Sequence, residues 1–165
     1  MLKNKLKLFG QNVYVLIVSM IFLFDQYTKL YSEMKLIEVK EIHVFKGLKW
    51  FLAYNQGAAF SFLSNAGGWQ RIFFIAIGIF LSIYIIYTLK KLLPNEKGLG
   101  IGLSLILGGA LGNLWDRILY GHVVDFISVY YQDWHWPTFN IADAAISVGG
   151  VIYAYFILKE NTSAK

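Results

Sequence analysis

Four apolar stretches divide the chain: Phe9 to Lys29, Trp69 to Leu89, Leu99 to Asp116 and Ile141 to Leu158. Each is close to the ~20 mostly apolar residues that a helix needs to cross a hydrocarbon layer. Between the first and the second the pattern changes. Apolar and polar positions alternate around Ile37 to Val44, Gly47 interrupts them, and a further run follows from Leu48 to Tyr54, which predicts strand, turn, strand. The expected fold class is therefore a membrane all-α core, four transmembrane helices with a small extracytoplasmic β-sheet subdomain drawn from residues 31–67. Residues 1–165 form a single domain in this reading.

Composition sharpens that picture. The chain is 57% hydrophobic and only 15% charged, so lipid is the expected solvent. The absence of cysteine excludes a disulfide framework, a thiolate nucleophile and a cysteine zinc site. A net charge of +5 raises the question of nucleic acid, but the basic residues are scattered at the ends of apolar runs rather than gathered into a stripe with interleaved aromatics, so no nucleic-acid partner is expected. Lys3, Lys5 and Lys7 ahead of the first span resemble a secretory signal. No small-residue cleavage site follows, and a retained anchor helix is the expectation.

Charge also orients the spans. With the N-terminus cytoplasmic, Lys3, Lys5, Lys7, Lys90, Lys91, Lys97, Lys159 and Lys165 lie inside against Glu96 and Glu160, whereas basic and acidic residues nearly balance outside. That asymmetry follows the positive-inside rule and puts both termini in the cytoplasm.

Given this topology, the acidic residues gather at the outer edge. Asp25 and Lys29 stand four residues apart on one helix face, the spacing of an ion pair that lowers the cost of burial and gives structural support. Asn55 opens NQGAAFSFL, whose Gly57, Ala58 and Ala59 suit either a tight turn or a grip on an extended peptide. The aromatics Trp50, Phe51, Tyr54, Phe60 and Phe62 fit either headgroup level or the core of the small sheet. In the third span, Gly98 with Gly102 and Gly108 with Gly112 have the spacing that lets helices pack backbone to backbone. Asn113, Asp116 and Arg117 follow where that span leaves the membrane. Arg117 is expected to hold Asp116 or another carboxylate by a forked pair, to bind a phosphate, or simply to anchor at the boundary.

Residues 122–146 bring two further carboxylates to the same side. Asp125 sits between Val123-Val124 and Phe126-Ile127, an apolar setting that disfavours the charged form and raises a carboxyl pKa. Asp143 follows Asn140 by three residues, so Asn140 as N-cap and Asp143 in the first helical turn would account for that acid on their own. Two carboxyls held close cannot both ionise; one keeps a proton while the other is a base, which suits water attack on a peptide carbonyl. His43, His122 and His135 lack the spacing of a catalytic zinc motif, and no metal is expected. A proton-coupled transporter would need acids near mid-span instead, and a purely structural subunit would use these acids as caps and ion pairs.

Five blocks, DQYTK at 25–29, NQGAAFSF at 55–62, GGALGNLWDR at 108–117, GHVVDFI at 121–127 and FNIADAAI at 139–146, together resemble the bacterial lipoprotein signal peptidase family, also called signal peptidase II. The resemblance runs from the first span to the last, in the family's order. It implies a four-helix inner-membrane aspartic endopeptidase, without a cofactor, that removes the signal peptide of diacylglyceryl-modified prolipoproteins just before the lipidated cysteine. Position by position, Asp125 and Asp143 match the catalytic dyad. Asn55, Gly57, Gly108, Asn113, Arg117, Asn140 and Ala142 match positions that shape the site or hold substrate, and Asp25 and Lys29 match a supporting pair. Membrane lipid and globomycin-type inhibitors are implied as further partners. Trp115 stands where many members have a smaller apolar residue, and the Trp-rich loop 133–136 is individual to this chain.

Overall fold

Helix α3, Lys97–Leu119, owes its place at the centre to its glycines, because a helix without Cβ atoms lets backbones come close on more than one side. In the computed structural model it packs against α1 (Leu2–Leu36), α2 (Trp69–Lys91) and α4 (Ile141–Ser163). The structure describes residues 2–57 and 68–163, with side chains for 10–57 and 68–159. All four helices are long and apolar enough to cross a membrane. Together with a small antiparallel sheet they bear out the expected fold class.

The two glycine spacings serve different neighbours. A Cβ on Gly98 would run into the Phe156 ring, and one on Gly102 would come within 2.9 Å of Gly149 O, so this pair faces α4. A Cβ on Gly108 would lie 2.8 Å from Ile21 Cβ, and one on Gly112 would lie 2.5 Å from an Asp25 carboxylate oxygen, so that pair faces α1. Gly109 closes the Asp143 end of the bundle against α4, where a Cβ would run into Ala142 O. Gly109→Ala must therefore push α4 away beside Asp143. Overpacking of this kind costs about 1–3 kcal/mol. A lower melting temperature in detergent, together with a loss of peptide cleavage, is the expected result.

The sheet has the order β1-β2-β3-β4 and is antiparallel throughout. Strands β1 (Glu41–Phe45) and β2 (Leu48–Asn55) form the hairpin that the alternating pattern predicts, turning at Gly47 with φ 99°. Strands β3 (Val123–Tyr131) and β4 (Trp134–His135) add a second hairpin. The sheet thus draws on the segment after α3 as well as on residues 31–67. Helix α1 also continues through Leu36, into the segment read as β, because its last turns pack on the sheet: Trp50 Nε1 donates to Ser32 Oγ at 2.9 Å and the Tyr31 and Trp50 rings stack at 5.7 Å. Two registers then place the acids. Asp125 pairs with Ala53 across β2 and β3, and Phe139 bridges Ile127, which carries the start of α4 against β3.

Candidate active site

Asp125 reaches the bundle from β3 and is almost fully buried. Its Oδ1 accepts from Asn140 Nδ2 at 2.7 Å and its Oδ2 from Asn55 Nδ2 at 3.1 Å. Burial first, and then the neighbouring Asp143 charge, raise its carboxyl to about 7 against the opposing pull of the donors from Asn55 and Asn140 and of the more distant Lys29. A carboxyl so placed carries a proton close to neutral pH.

Asp143 arrives from the opposite direction, on the first turn of α4. Its backbone N–H donates to Asn140 Oδ1 at 2.9 Å, and its own Oδ2 accepts from the Asn140 backbone N–H at 3.2 Å, the reciprocal arrangement of a capping box. Capping leaves the second oxygen for the site, where Oδ1 accepts from Asn113 Nδ2 at 2.7 Å. Asp143 lines a cavity of about 500 Å³ together with the polar Asn55, Asn113 and Arg117 and the apolar Trp136, Pro137, Phe139, Ile146 and Val148. The lining therefore mixes polar groups with apolar side chains.

Two asparagine amides tie these carboxylates together, and neither can be reversed without loss. Asn113 Oδ1 accepts from Lys29 Nζ at 3.0 Å and from Asn140 Nδ2 at 3.1 Å, so Asn113 Nδ2 is turned to Asp143. Asn140 Oδ1 is occupied by the Asp143 N–H, so its Nδ2 is turned to Asp125.

Behind the amides lies a buried ion cluster. Lys29 Nζ stands 2.7 Å from Asp25 and 2.8 Å from Asp116, all three side chains being almost inaccessible. Asp25 also accepts the Ala142 backbone N–H at 2.8 Å, and Asp116 accepts Gln26 Nε2 at 2.9 Å and the Val124 N–H at 3.3 Å. The Asp25–Lys29 pair expected from spacing is present, with Asp116 as a third member. Neither Asp116 as a partner of Lys29 nor Gln26 as a donor to Asp116 is marked in the sequence, because nothing local says that the one acid of α3 faces α1.

Arg117 does not form the expected forked pair with Asp116, whose oxygens are taken by Lys29, Gln26 and Val124. Its guanidinium instead donates to the backbone carbonyls of Asn113 at 3.2 Å and Gly57 at 2.9 Å and lies over the Phe74 ring at 5.1 Å. Its buried Nε–H has no partner among the described residues. Gly57 N–H in turn donates to Asn55 Oδ1 at 3.0 Å. Thus Asn55, Asn113 and Asn140 reach the two carboxylates directly, and Gly57 and Arg117 stand one contact behind them. Gly108 and Ala142 do not line the cavity: Gly108 faces Ile21 on α1, and Ala142 is fully buried between α3 and Asp25. Ala58, Ala59, Phe60 and Phe62 lie outside the described residues. Trp115 is exposed and meets the Phe22 ring edge-on at 6.0 Å, away from the cavity. Among the described residues no group of histidines and acids could hold a metal ion.

A family model described as signal peptidase (SPase) II matches residues 17–159. The lipoprotein signal peptidase of Ectopseudomonas mendocina (strain ymp) is 46% identical over 159 residues, 95% of this chain and 94% of that protein. That of Polynucleobacter necessarius subsp. necessarius (strain STIR1) is 47% identical over 148 residues, 90% of each chain. Among solved structures, a bacterial membrane enzyme determined at 2.3 Å superposes with a TM-score of 0.82 at 32% identity, covering 93% of this chain and 92% of the other. A second, at 1.9 Å, superposes with a TM-score of 0.76 at 32% identity, covering 90% and 94%.

Proposed function

The chain belongs to the signal peptidase II family of bacterial membrane proteases, and from that premise we propose that Asp125 and Asp143 are its catalytic dyad. The enzyme removes signal peptides from prolipoproteins. The observation that carries the dyad is the contrast between the two acids: Asp125 is buried and raised to about 7, and Asp143 opens onto the cavity beside it.

With a peptide carbonyl in the cavity, Asp143 takes a proton from a water as the water oxygen attacks the carbonyl carbon, and Asp125 gives its proton to the carbonyl oxygen. The tetrahedral intermediate then collapses. Asp143 returns its proton to the departing nitrogen, the C–N bond breaks, and Asp125 recovers a proton from the hydroxyl as the new carboxyl group forms. No covalent bond to the enzyme is needed. Asn113 and Asn140 hold the two carboxylates through both steps.

The substrate is a peptide whose cysteine carries diacylglycerol, cut just before that cysteine. Its acyl chains pass the apolar lining residues Phe139, Ile146 and Val148 into surrounding lipid while the scissile bond lies beside Asp143. Globomycin-type cyclic peptides would block the same cavity. Both termini face the cytoplasm and the dyad faces outward, following the lysine asymmetry of the loops. The test is a pair of synthetic precursors in detergent, one bearing diacylglycerol and one bearing the free cysteine. Anchoring the chains supplies the binding energy that positions the peptide, so kcat/KM falls roughly a hundredfold or more without the lipid. Equal cleavage of the two would sink the lipid-anchored reading.

A further inference from the structure

We propose that Arg71 and Phe74, on the first turns of α2, are positioning residues for the dyad, acting through Arg117, Gly57 and Asn55. The inference rests on the dyad reading above and adds a helix that contributes nothing to the cavity wall. Helix α2 is mostly exposed along its length, its buried residues being Gln70, Ser82, Ile85 and Leu89. An arginine at its outer end could simply reach solvent or lipid headgroups. Instead the Arg71 guanidinium is committed to the backbone of α3.

Its Nε donates to Arg117 O at 2.9 Å and its Nη2 to Ile118 O at 2.8 Å. These belong to the last turn of α3, where carbonyls have no donor further along the helix, and a cation there also meets the negative end of the helix dipole. The chain then turns at Gly121, with φ 80°, before entering β3. A Cβ at Gly121 would already touch the Arg71 guanidinium at 3.4 Å, so the turn and the cap are fitted to one another. Arg71 thereby fixes the corner that joins the end of α3 to the strand of Asp125.

Phe74 lies three residues on, facing the same corner. The Arg117 guanidinium stands 5.1 Å from its ring centroid, within cation–π range. Arg71 holds the backbone of Arg117 and Phe74 holds its side chain, which leaves the Arg117 Nη2 directed at Gly57 O at 2.9 Å. Gly57 N–H occupies Asn55 Oδ1 at 3.0 Å, so the amide of Asn55 can present only Nδ2 to Asp125, at 3.1 Å. A chain of contacts thus runs from the start of α2 to one oxygen of the dyad.

A cap that served stability alone would leave the proton on Asp125 untouched, whereas this chain of contacts does not. The groups acting on that carboxyl are Asp143 from α4, Lys29 from α1, and the amides of Asn55 from β2 and Asn140 ahead of α4, with the charged Arg117 and Asp116 from α3 close by. Asn55 favours the ionised form. Loosening it raises the Asp125 carboxyl further, so the alkaline limb of the kcat/KM profile moves to higher pH even as the rate falls.

The experiment uses the purified full-length enzyme in detergent and a lipidated precursor peptide, with Arg71→Gln, Arg71→Lys and Phe74→Leu measured over a range of pH and by thermal unfolding. Displacement of a held group by a fraction of an ångström supports an expected loss of roughly tenfold in kcat for Arg71→Gln and Phe74→Leu, with KM near wild type. The alkaline limb shifts upward in both, and Arg71→Lys restores most of the rate and the limb. Phe74→Leu leaves the cap intact, so it carries the test if Arg71→Gln fails to fold. Wild-type kcat with an unmoved limb in the folded variants overturns the proposal, as does a rate loss that merely follows the loss of folded protein. Activity retained by Asp125→Asn would overturn the dyad reading itself. Activity lost by Asp125→Asn but unmoved by Arg71→Gln and Phe74→Leu overturns only the positioning role.

Discussion

Asp125→Asn and Asp143→Asn each slow cleavage of a lipidated precursor peptide by roughly a thousandfold, the size expected when one partner of an acid–base pair is removed. The amide keeps the shape of the carboxyl but cannot exchange a proton with water, the carbonyl oxygen or the leaving nitrogen. Asp143→Asn also disturbs the cap, because one side-chain atom there accepts the Asn140 N–H and the other accepts Asn113 Nδ2. An amide satisfies only one of those donors. The double variant should be little worse than either single one, since the two groups act as a unit. Steady-state rates of the three variants, compared at equal folded concentration, check this. A double variant slowed by the product of the two single effects would mean that the acids act independently.

Lys29→Met produces the largest loss of stability. Asp25 and Asp116 would remain buried with no cation between them, and removing one partner of a buried ion cluster typically costs about 3–5 kcal/mol. The residual hydrogen bonds from Gln26, Ala142 and Val124 do not replace a charge. Neutralising the acids as well, in Asp25→Asn with Lys29→Met and Asp116→Asn, should recover much of the melting temperature. It should not recover the full rate, because Asn113 Oδ1 loses the ammonium that turns its amide toward Asp143. Thermal unfolding in detergent separates these outcomes. A Lys29→Met protein as stable as wild type would mean that the cluster contributes nothing to folding.

What the sequence shows of this protein depends on how local the cause is. The four spans, the hairpin at Gly47 and the helix start at Asn140 are governed by hydropathy, turn chemistry and capping within a few residues, and all are legible. Strand β3 is not. Val123–Tyr131 is an apolar-rich run whose extended form comes from pairing with Leu48–Asn55, far away in sequence. The end of α1 was equally hidden, since the last turns before Leu36 are held by Trp50 on the sheet.

The site divides in the same way. Asp125 is marked in the sequence by its apolar flanks and Asp143 by its place three residues after Asn140, and the Asp25–Lys29 pair follows from its spacing. The partner of Arg117 is not marked, because Asp116, its neighbour in sequence, points toward α1 and Lys29 while Arg117 points toward Gly57. Consecutive residues on a helix lie about 100° apart around its axis, so adjacency in sequence says little about pairing. The two asparagines illustrate the other limit. Each is a modest signal alone, and only the full set of donors and acceptors shows that their amides are locked in one orientation.

The central claim is that Asp125 and Asp143 form one coupled pair in which Asp125 carries the proton near neutral pH. An infrared titration of the aspartate carboxyl band, in the wild type and in Asp143→Asn, with Asp125→Asn subtracted to isolate one carboxyl, addresses it directly. The Asp125 carboxyl should titrate near pH 7 in the wild type, since burial and the Asp143 charge both raise it. In Asp143→Asn one of those causes is gone, and the midpoint should fall. A wild-type midpoint close to the ordinary carboxylate value, or one that does not move in Asp143→Asn, would contradict the coupled dyad.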